Sequence, residues 1–184
     1  MLRQAIIIGG TGMLADMSKW IIQQVKHTVI IGRNEQRLRQ LKSSLGNVHT
    51  KQLDYKHTED LKQMIRTTIE TYGSIDLVVA WVHSDAPNVI PTILNEICTS
   101  QRKKWRLFHV KGSSQHLEEI QQSNLDLPDR CLYRDVHLGF KREGDMSRWL
   151  KDEEISAGVM KAIQHDRKHT VIGTLEPWEE RPKR

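Results

Sequence analysis

The chain has 184 residues, of which 38% are hydrophobic and 28% are charged, and its formal net charge is +5. This length suits one well-buried domain, and no apolar run approaches the roughly 20 residues that a membrane-spanning helix needs. The basic balance does not by itself predict nucleic-acid binding, because the basic residues are scattered and the densest cluster, Arg102–Arg106, is most simply a solvated helix end.

The N-terminal residues and the cysteines indicate in which cellular compartment the protein is expected. The N-terminus runs directly into an apolar segment and lacks the pattern of a secretory signal, so we expect a cytoplasmic protein. Cys98 and Cys131 are far apart and have no CxxC spacing, which predicts neither a disulfide nor a zinc site. The nine histidines, including His165 and His169, also match no zinc spacing. We therefore expect no metal.

The predicted elements alternate between strands and helices from the start of the chain. Gln4–Ile8 is an apolar run that ends in glycines, which is typical of a strand buried on both faces of a sheet. A helix is predicted to follow over Met13–Gln24. The β-branched run Thr28–Ile31 predicts the second strand, and Asn34 can cap the helix after it.

The middle of the chain continues this alternation. Val48–Leu53 predicts a third strand, and Thr58 is expected to cap a helix that Gly73 ends. Apolar residues in that helix follow the 3.6-residue period. Ile75–Val82 predicts a fourth strand, and the next helix is expected to begin near Pro91.

The C-terminal part is predicted to complete the sheet. Its elements are, in order, a strand over Trp105–Val110, a short helix over Ser113–Asn124, a strand over Cys131–Leu138, a helix over Glu153–His165 and a strand over Thr170–Gly173. Such alternation predicts an α/β fold with a Rossmann-like, doubly wound, mostly parallel sheet of six or seven strands. We expect a single domain over residues 1–184.

A glycine cluster separates the first strand from the first helix. Gly10, Gly12 and Ala15 satisfy the pattern G-x-G-x-x-G/A, in which a tight turn lets a pyrophosphate approach the amides of a helix N-terminus. The alternative is a glycine-rich turn without a ligand, but its place after the first strand of an alternating pattern favours NAD(P) binding. The residues expected to contact the cofactor here are Gly9, Gly10, Thr11, Gly12, Met13 and Leu14.

The end of the second strand bears on the choice of cofactor. NAD-preferring sites usually place a carboxylate there, whereas this chain has Arg33, which can pair with a 2′-phosphate. We therefore predict NADP(H), with NAD(H) as the less favoured cofactor. The alternative for Arg33 is a solvated basic residue at a helix start. Arg37 is a second candidate, and we expect Asn34 to line the same site.

The sequence resembles the short-chain dehydrogenase/reductase family over most of its length. "IGGTGMLA" is similar to the family's TGxxGxxG turn, "GRNEQRL" to an NADP-preferring strand end and "LDY" to the segment with the adenine-contacting aspartate. "IDLVVAWVH" resembles the fourth strand with its NNAG segment, "FHVKGSS" the serine-bearing fifth strand and "VHLGF" the PG segment near the nicotinamide. The resemblance implies further cofactor contacts at Asp54, Ala80, Trp81, Val82 and Gly139.

The resemblance does not include the family's Tyr-x-x-x-Lys pair. The residues four positions after the three tyrosines are Glu59, Asp76 and His137. Only 16 residues separate Ser114 from Cys131, so a full catalytic helix does not fit between them. In the family this region commonly contributes to the dimer interface, so a homo-oligomer of this chain would have a non-standard interface.

Three residues are candidates for direct contact with a substrate. Ser113 and Ser114 either hydrogen-bond a substrate oxygen or cap the following helix, and His83 either donates a proton or is structural. Two functions remain open. The first is an atypical NADP(H)-dependent oxidoreductase that acts on a small carbonyl, quinone-like or flavin-like compound. The second is a catalytically inactive redox sensor or regulator that binds the nucleotide. Both imply a small-molecule ligand rather than a membrane or nucleic acid.

Overall fold

The computed structural model describes residues 2–44, 48–112, 125–144 and 146–182. The elements are, in chain order, β1 (Leu2–Ile8), α1 (Ala15–Gln24), β2 (Val25–Gly32), α2 (Glu35–Ser44), β3 (Val48–Gln52), α3 (Thr58–Tyr72), β4 (Leu77–Trp81), α4 (Val89–Ser100), β5 (Trp105–Lys111), β6 (Cys131–Leu138), β7 (Phe140–Glu143), β8 (Met146–Trp149), α5 (Asp152–Gln164) and β9 (His169–Ile172). A single 3-10 turn over Trp178–Glu180 follows. Within these ranges no helix is long and apolar enough to cross a membrane.

Seven strands form one sheet in the order β3-β2-β1-β4-β5-β6-β9, and every neighbouring pair is parallel. This arrangement confirms the predicted α/β, doubly wound, Rossmann-like sheet. The strand order reverses between β1 and β4, and a crevice for ligands opens at such a point, beyond the carboxyl ends of the strands.

The central strand β1 shows why its sequence is almost continuously apolar. Ala5 and Ile7 pack in the apolar cluster that also contains residues of α1 and α5. Ile6 and Ile8 pack on the opposite face, in the cluster that contains residues of α3 and α4. Each of these isoleucines is at most 1% exposed, and burial of such a side chain contributes about 1.5–3 kcal/mol. Both faces of the sheet are therefore covered, as the sequence predicts.

The ends of several elements differ from the predicted ones. Helix α1 begins at Ala15, two residues later than expected, because Leu14 has φ −100° and ψ 13° and forms its N-cap. Thr58 is the first residue of α3 rather than its cap, and His57 occupies the cap position. Gly73 ends α3 as predicted, with φ +92° and an amide that donates to the Ile69 carbonyl.

The hairpin β7–β8 is an element that the sequence analysis did not predict. Its strands are four residues long, antiparallel and separate from the main sheet. Ion pairs stabilise the hairpin and join it to α5. The Arg148 guanidinium lies 2.7 Å from the Glu143 carboxylate in the hairpin and 2.8 Å from the Glu154 carboxylate in α5. Such short charged strands have no periodicity that would distinguish them from a loop.

The basic cluster Arg102–Arg106 begins just beyond the end of α4, and Arg106 already lies in β5. Lys103 donates a hydrogen bond to the carboxylate of Asp76, which also accepts bonds from the amides of Arg3 and Gln4. Burial by itself raises the pKa of Asp76, but the hydrogen bonds from Lys103 and from the two amides outweigh it, so the pKa lies below its usual value. Asp76 thus ties the start of β1 to the approach of β4 and β5.

Candidate functional site

Two adjoining cavities open at the carboxyl edge of the sheet. The outer cavity has a volume of about 760 Å³ and is lined by Gly9, Thr11, Gly12, Met13, Gly32, Arg33, Asn34, Arg37, Tyr55, Trp81, His83 and Asp152. The inner cavity has a volume of about 370 Å³ and is lined by Met13, Trp81, His83, Gly112, Leu138, Gly139, Trp149, Leu150, Asp152 and Ile155. Because Met13, Trp81, His83 and Asp152 belong to both walls, the two cavities form one continuous cleft.

The three glycines of the turn after β1 differ in how much space is left for a side chain. Gly9 has φ +74°, and a Cβ atom there would lie 2.9 Å from the carbonyl oxygen of Trp81. A Cβ on Gly10 would overlap the side chains of Ser18 and Ile7. A Cβ on Gly12 would meet only the Arg37 guanidinium, at 3.5 Å. The fold therefore requires Gly9 and Gly10, whereas the open space at Gly12 belongs to the cavity.

The N-terminus of α1 provides donors for an anion. The Ala15 amide donates to the Gly12 carbonyl at 2.9 Å, and the Ser18 amide donates to the Leu14 carbonyl at 2.9 Å. Among the residues that the structure describes, the amides of Gly12, Met13 and Leu14 have no acceptor. The Leu14 side chain is fully buried, so only its backbone can face a ligand. Such free amides at a helix start are a favourable site for a phosphate.

Two guanidinium groups stand at the other end of the outer cavity. The Asn34 side chain accepts a hydrogen bond from the Arg37 amide at 2.9 Å, which confirms the predicted cap of α2. Arg33 and Arg37 both line the cavity, and neither forms an ion pair within the described ranges. The neighbouring Arg39 pairs instead with Glu35. Two unpaired cations are therefore available at the end of β2 for an anionic group.

Five of the predicted contact residues do not line either cavity: Gly10, Leu14, Asp54, Ala80 and Val82. Ala80 and Val82 are buried in the apolar cluster with α3 and α4. The Asp54 carboxylate accepts a hydrogen bond from the Lys56 amide at 3.0 Å. Tyr55 lines the outer cavity in its place, and its hydroxyl accepts a bond from the His83 amide at 3.5 Å.

Trp81 and His83 stand where the two cavities join. Their rings are in edge-to-face contact, with centroids 5.5 Å apart and an interplanar angle of 67°. Asp152, the first residue of α5, lies at the same junction. Helix α5 is joined to the glycine turn because the Ser156 hydroxyl donates to the Met13 carbonyl at 2.8 Å. The sequence analysis missed Asp152, because an acidic residue at a helix start is also the ordinary pattern of helix stabilisation.

The inner cavity is bounded by the ends of β4, β5 and β6 and by the hairpin. Gly139, at which the resemblance implies a cofactor contact, lines this cavity, but a Cβ on Gly139 would overlap the backbone of Thr174. The glycine is therefore required by the close approach of two backbone segments. Trp149 and Leu150 were not predicted as site residues, because the hairpin that presents them was not predicted. Within the described part of the chain, no group of three or more His, Cys, Asp or Glu residues is arranged to hold a metal ion.

Comparison with known protein families identifies a match over the part of the chain that contains the glycine turn. The family model described as short chain dehydrogenase matches residues 3–88, which contain the glycine turn and Arg33. Residues 3–88 are thus similar to the short-chain dehydrogenase family. Members of this family of oxidoreductases bind NAD(P). None of the curated proteins matches the sequence significantly.

Solved short-chain dehydrogenase structures share the fold over nearly the whole chain. An oxidoreductase of this family from Aeromonas hydrophila has 17% identity and a TM-score of 0.67, with 94% of this chain and 99% of that chain covered. A beta-ketoacyl-ACP reductase from Bacteroides thetaiotaomicron has 16% identity and a TM-score of 0.71, with 95% and 97% covered. A metagenomic short-chain oxidoreductase in complex with NADP has 10% identity and a TM-score of 0.65, with 94% and 97% covered. At these identities the likeness is one of fold.

The three tyrosines of the chain lie in different surroundings. Tyr133 lies on β6, away from both cavities, and its hydroxyl is 2.8 Å from Nδ1 of His109. Burial raises the pKa of Tyr133, so it stays protonated at neutral pH. Tyr72 stacks against both His27 and His49, near the edge strand β3. Tyr55 alone among the three lines a cavity. Ser113 and Ser114, together with the helix predicted over Ser113–Asn124, lie outside the described residues.

Proposed function

We propose that this protein is an NADP(H)-dependent oxidoreductase of the short-chain type, which transfers a hydride between the nicotinamide and a small organic acceptor. The continuity of the cleft supports this proposal most strongly. It runs from two unpaired arginines, past the free amides at the start of α1, to a smaller cavity with an apolar wall. A 2′-phosphate, a pyrophosphate and a nicotinamide ring need these three environments in that order.

The arginines support NADP(H) rather than NAD(H). A hydrogen bond between charged groups contributes about 1.5–3 kcal/mol, so one good contact between Arg33 and a 2′-phosphate favours NADPH by about 10- to 100-fold. In the outer cavity the one carboxylate among the described wall residues is Asp152, at the junction with the inner cavity rather than beside Arg33. The solved metagenomic neighbour in complex with NADP agrees with this choice.

The residues of the chain supply binding and orientation, and the bound cofactor supplies the hydride. Met13 and Gly139 contribute to the wall against which a nicotinamide ring would lie. His83 and Asp152 are the two titratable side chains among the described residues of the inner cavity. An imidazole N–H can donate to a substrate oxygen, so His83 is the proposed proton donor for a carbonyl substrate. Ser113 and Ser114, which follow Gly112 directly in the sequence, remain proposed substrate contacts.

Turnover with simple acceptors tests the proposal. Purified protein is mixed with NADPH or NADH and with a saturated ketone, a quinone or a flavin, and the loss of reduced nicotinamide absorbance is followed. We expect protein-dependent oxidation that is faster with NADPH. Tight NADPH binding without oxidation by any acceptor would contradict catalysis and would favour the sensor, the alternative that the missing Tyr-x-x-x-Lys pair supports.

A further inference from the structure

The wall of the inner cavity is dominated by apolar and aromatic side chains. Of the ten wall residues that the structure describes, six carry such side chains: Met13, Trp81, Leu138, Trp149, Leu150 and Ile155. Two more are the glycines at the ends of β5 and β6, and the remaining two are His83 and Asp152. A volume of about 370 Å³ is at the small end of the range that ligand-binding pockets occupy. The cavity therefore suits a compact apolar molecule with few polar groups.

Trp81 forms a fixed part of this wall. A Cβ on Gly9 would lie 3.2 Å from Cβ and Cδ1 of Trp81, and a Cβ on Gly112 would lie 3.3 Å from its Cη2. The indole is thus in close contact with the backbone at both of these glycines. The edge of His83 packs against the same ring. These contacts from three segments determine the position of the Trp81 ring at the junction of the cavities.

Trp149 supplies a second indole, from the hairpin. Its backbone pairs with Phe140, which is 1% exposed, and the adjacent Arg148 is held by Glu143 and by Glu154 of α5. The Arg148 hydrogen bonds lower the pKa of Glu154, so this anchor stays charged over the physiological range. Trp149 nevertheless remains 38% exposed. The backbone that carries Trp149 is therefore fixed beside the cavity, while much of the surface of its large aromatic side chain stays uncovered.

We infer, on the basis of the proposed function, that the acceptor for which this cavity is built is a flat conjugated diketone of the quinone class, with one face of its ring on Trp149. A planar π-system gains from stacking on an indole beyond the gain from apolar burial. A saturated ketone of the same size buries apolar surface but has no aromatic face to stack.

The chemistry of quinone reduction also fits the residues present. The acceptor gains a hydride from NADPH and a proton from water and becomes a hydroquinone, while NADPH becomes NADP⁺. A phenolate-like product is a much weaker base than the alkoxide from a saturated ketone, so it needs no strong acid from the protein. A chain without the Tyr-x-x-x-Lys pair can therefore reduce a quinone more readily than a simple ketone.

The test compares two bicyclic acceptors, 1,4-naphthoquinone and the saturated 1-decalone, with NADPH and the full chain. We expect a higher kcat/KM for the quinone after subtraction of the reaction without protein. We expect Trp149→Leu to raise the KM for the quinone by about two- to tenfold, which is the range of a lost aromatic pair, and to leave the Kd for NADPH unchanged. Trp149→Phe keeps an aromatic face and should retain most of the wild-type KM.

Trp178→Leu is the matched control, because Trp178 lies in the C-terminal 3-10 turn and lines neither cavity. It should leave the quinone KM unchanged, and melting temperatures identify any variant that fails to fold. Equal kcat/KM for the two acceptors, or a quinone KM that Trp149→Leu does not change, overturns this inference. Oxidation of NADPH by 1-decalone but not by the quinone overturns this inference alone. Failure of both acceptors while a flavin is reduced overturns this inference alone, and failure of the quinone, the ketone and the flavin overturns the proposed function together with it.

Discussion

A substitution at Gly12 can test cofactor binding without disturbing the fold. We predict that Gly12→Val strongly weakens dinucleotide binding and leaves the fold intact. Its φ is not in the left-handed region, and the nearest atom to an added Cβ is the guanidinium of Arg37 at 3.5 Å, the flexible end of a long side chain. The valine methyl groups therefore extend into the outer cavity without straining the backbone.

The size of the effect follows from the amides next to Gly12. The added side chain prevents a phosphate from reaching the free amides at the start of α1. A hydrogen bond to a charged group contributes about 1.5–3 kcal/mol. The loss of two such bonds costs about 3–6 kcal/mol, so the Kd for NADPH should rise by about a hundredfold to ten-thousandfold.

Calorimetric titration with NADPH and a thermal unfolding scan together measure this prediction. Gly10→Val is the contrasting variant, because its side chain would overlap Ser18 and Ile7 inside the protein. Overpacking of this kind typically costs about 1–3 kcal/mol, so we expect a lower melting temperature for Gly10→Val and a wild-type one for Gly12→Val. Unchanged NADPH affinity in Gly12→Val would refute the placement of the phosphates at this turn.

The remaining predictions concern cofactor choice and stability. Arg33→Ala should weaken NADPH binding by about 10- to 100-fold and leave the Kd for NADH unchanged, and an equal loss for both in fluorescence titrations would exclude a 2′-phosphate contact. Asp76→Asn should lower the free energy of unfolding in urea by about 1.5–3 kcal/mol at neutral pH, because Asp76 is 8% exposed and accepts three hydrogen bonds. Since the pKa of Asp76 is lowered in the folded protein, its contribution is present above about pH 4 and is lost as the pH falls through the folded value, so the variant should show a flatter stability profile in acid. Arg66→Ala should destabilise by about 1.5–3 kcal/mol in urea titrations, because it leaves Glu96, which is 3% exposed, buried without its partner. Arg39→Ala, which removes an exposed pair with Glu35, should cost less than about 1 kcal/mol, and equal losses for the two arginine variants would contradict this reasoning.

Local sequence patterns were sufficient to predict the sheet and the first half of the cleft. Local structure near each residue is determined by a few neighbours: the apolar run forms β1, the glycines form the turn after it, and Asn34 caps α2. Arg33, Gly12 and Met13 lie together in the wall of the outer cavity, and their contact with a cofactor stays a prediction. The helix cap at Thr58 was misplaced by one residue, because adjacent polar residues give the same signal.

The inner end of the cleft depends on contacts between distant segments. Trp149 lies at the cavity because an ion pair joins its hairpin to α5. Asp152 lies there because α5 packs beside the glycine turn. Neither contact leaves a periodic pattern in the sequence. The sequence also could not distinguish a glycine needed for packing, such as Gly139, from one that leaves space for a ligand, such as Gly12.

The dissociation constants of the unmodified protein for NADPH and NADH, measured side by side by calorimetry, test the central claim most directly. An NADP(H) site with arginines at the end of β2 predicts a Kd for NADPH about 10- to 100-fold below that for NADH. Equal affinities, tighter binding of NADH or binding of neither cofactor would contradict it.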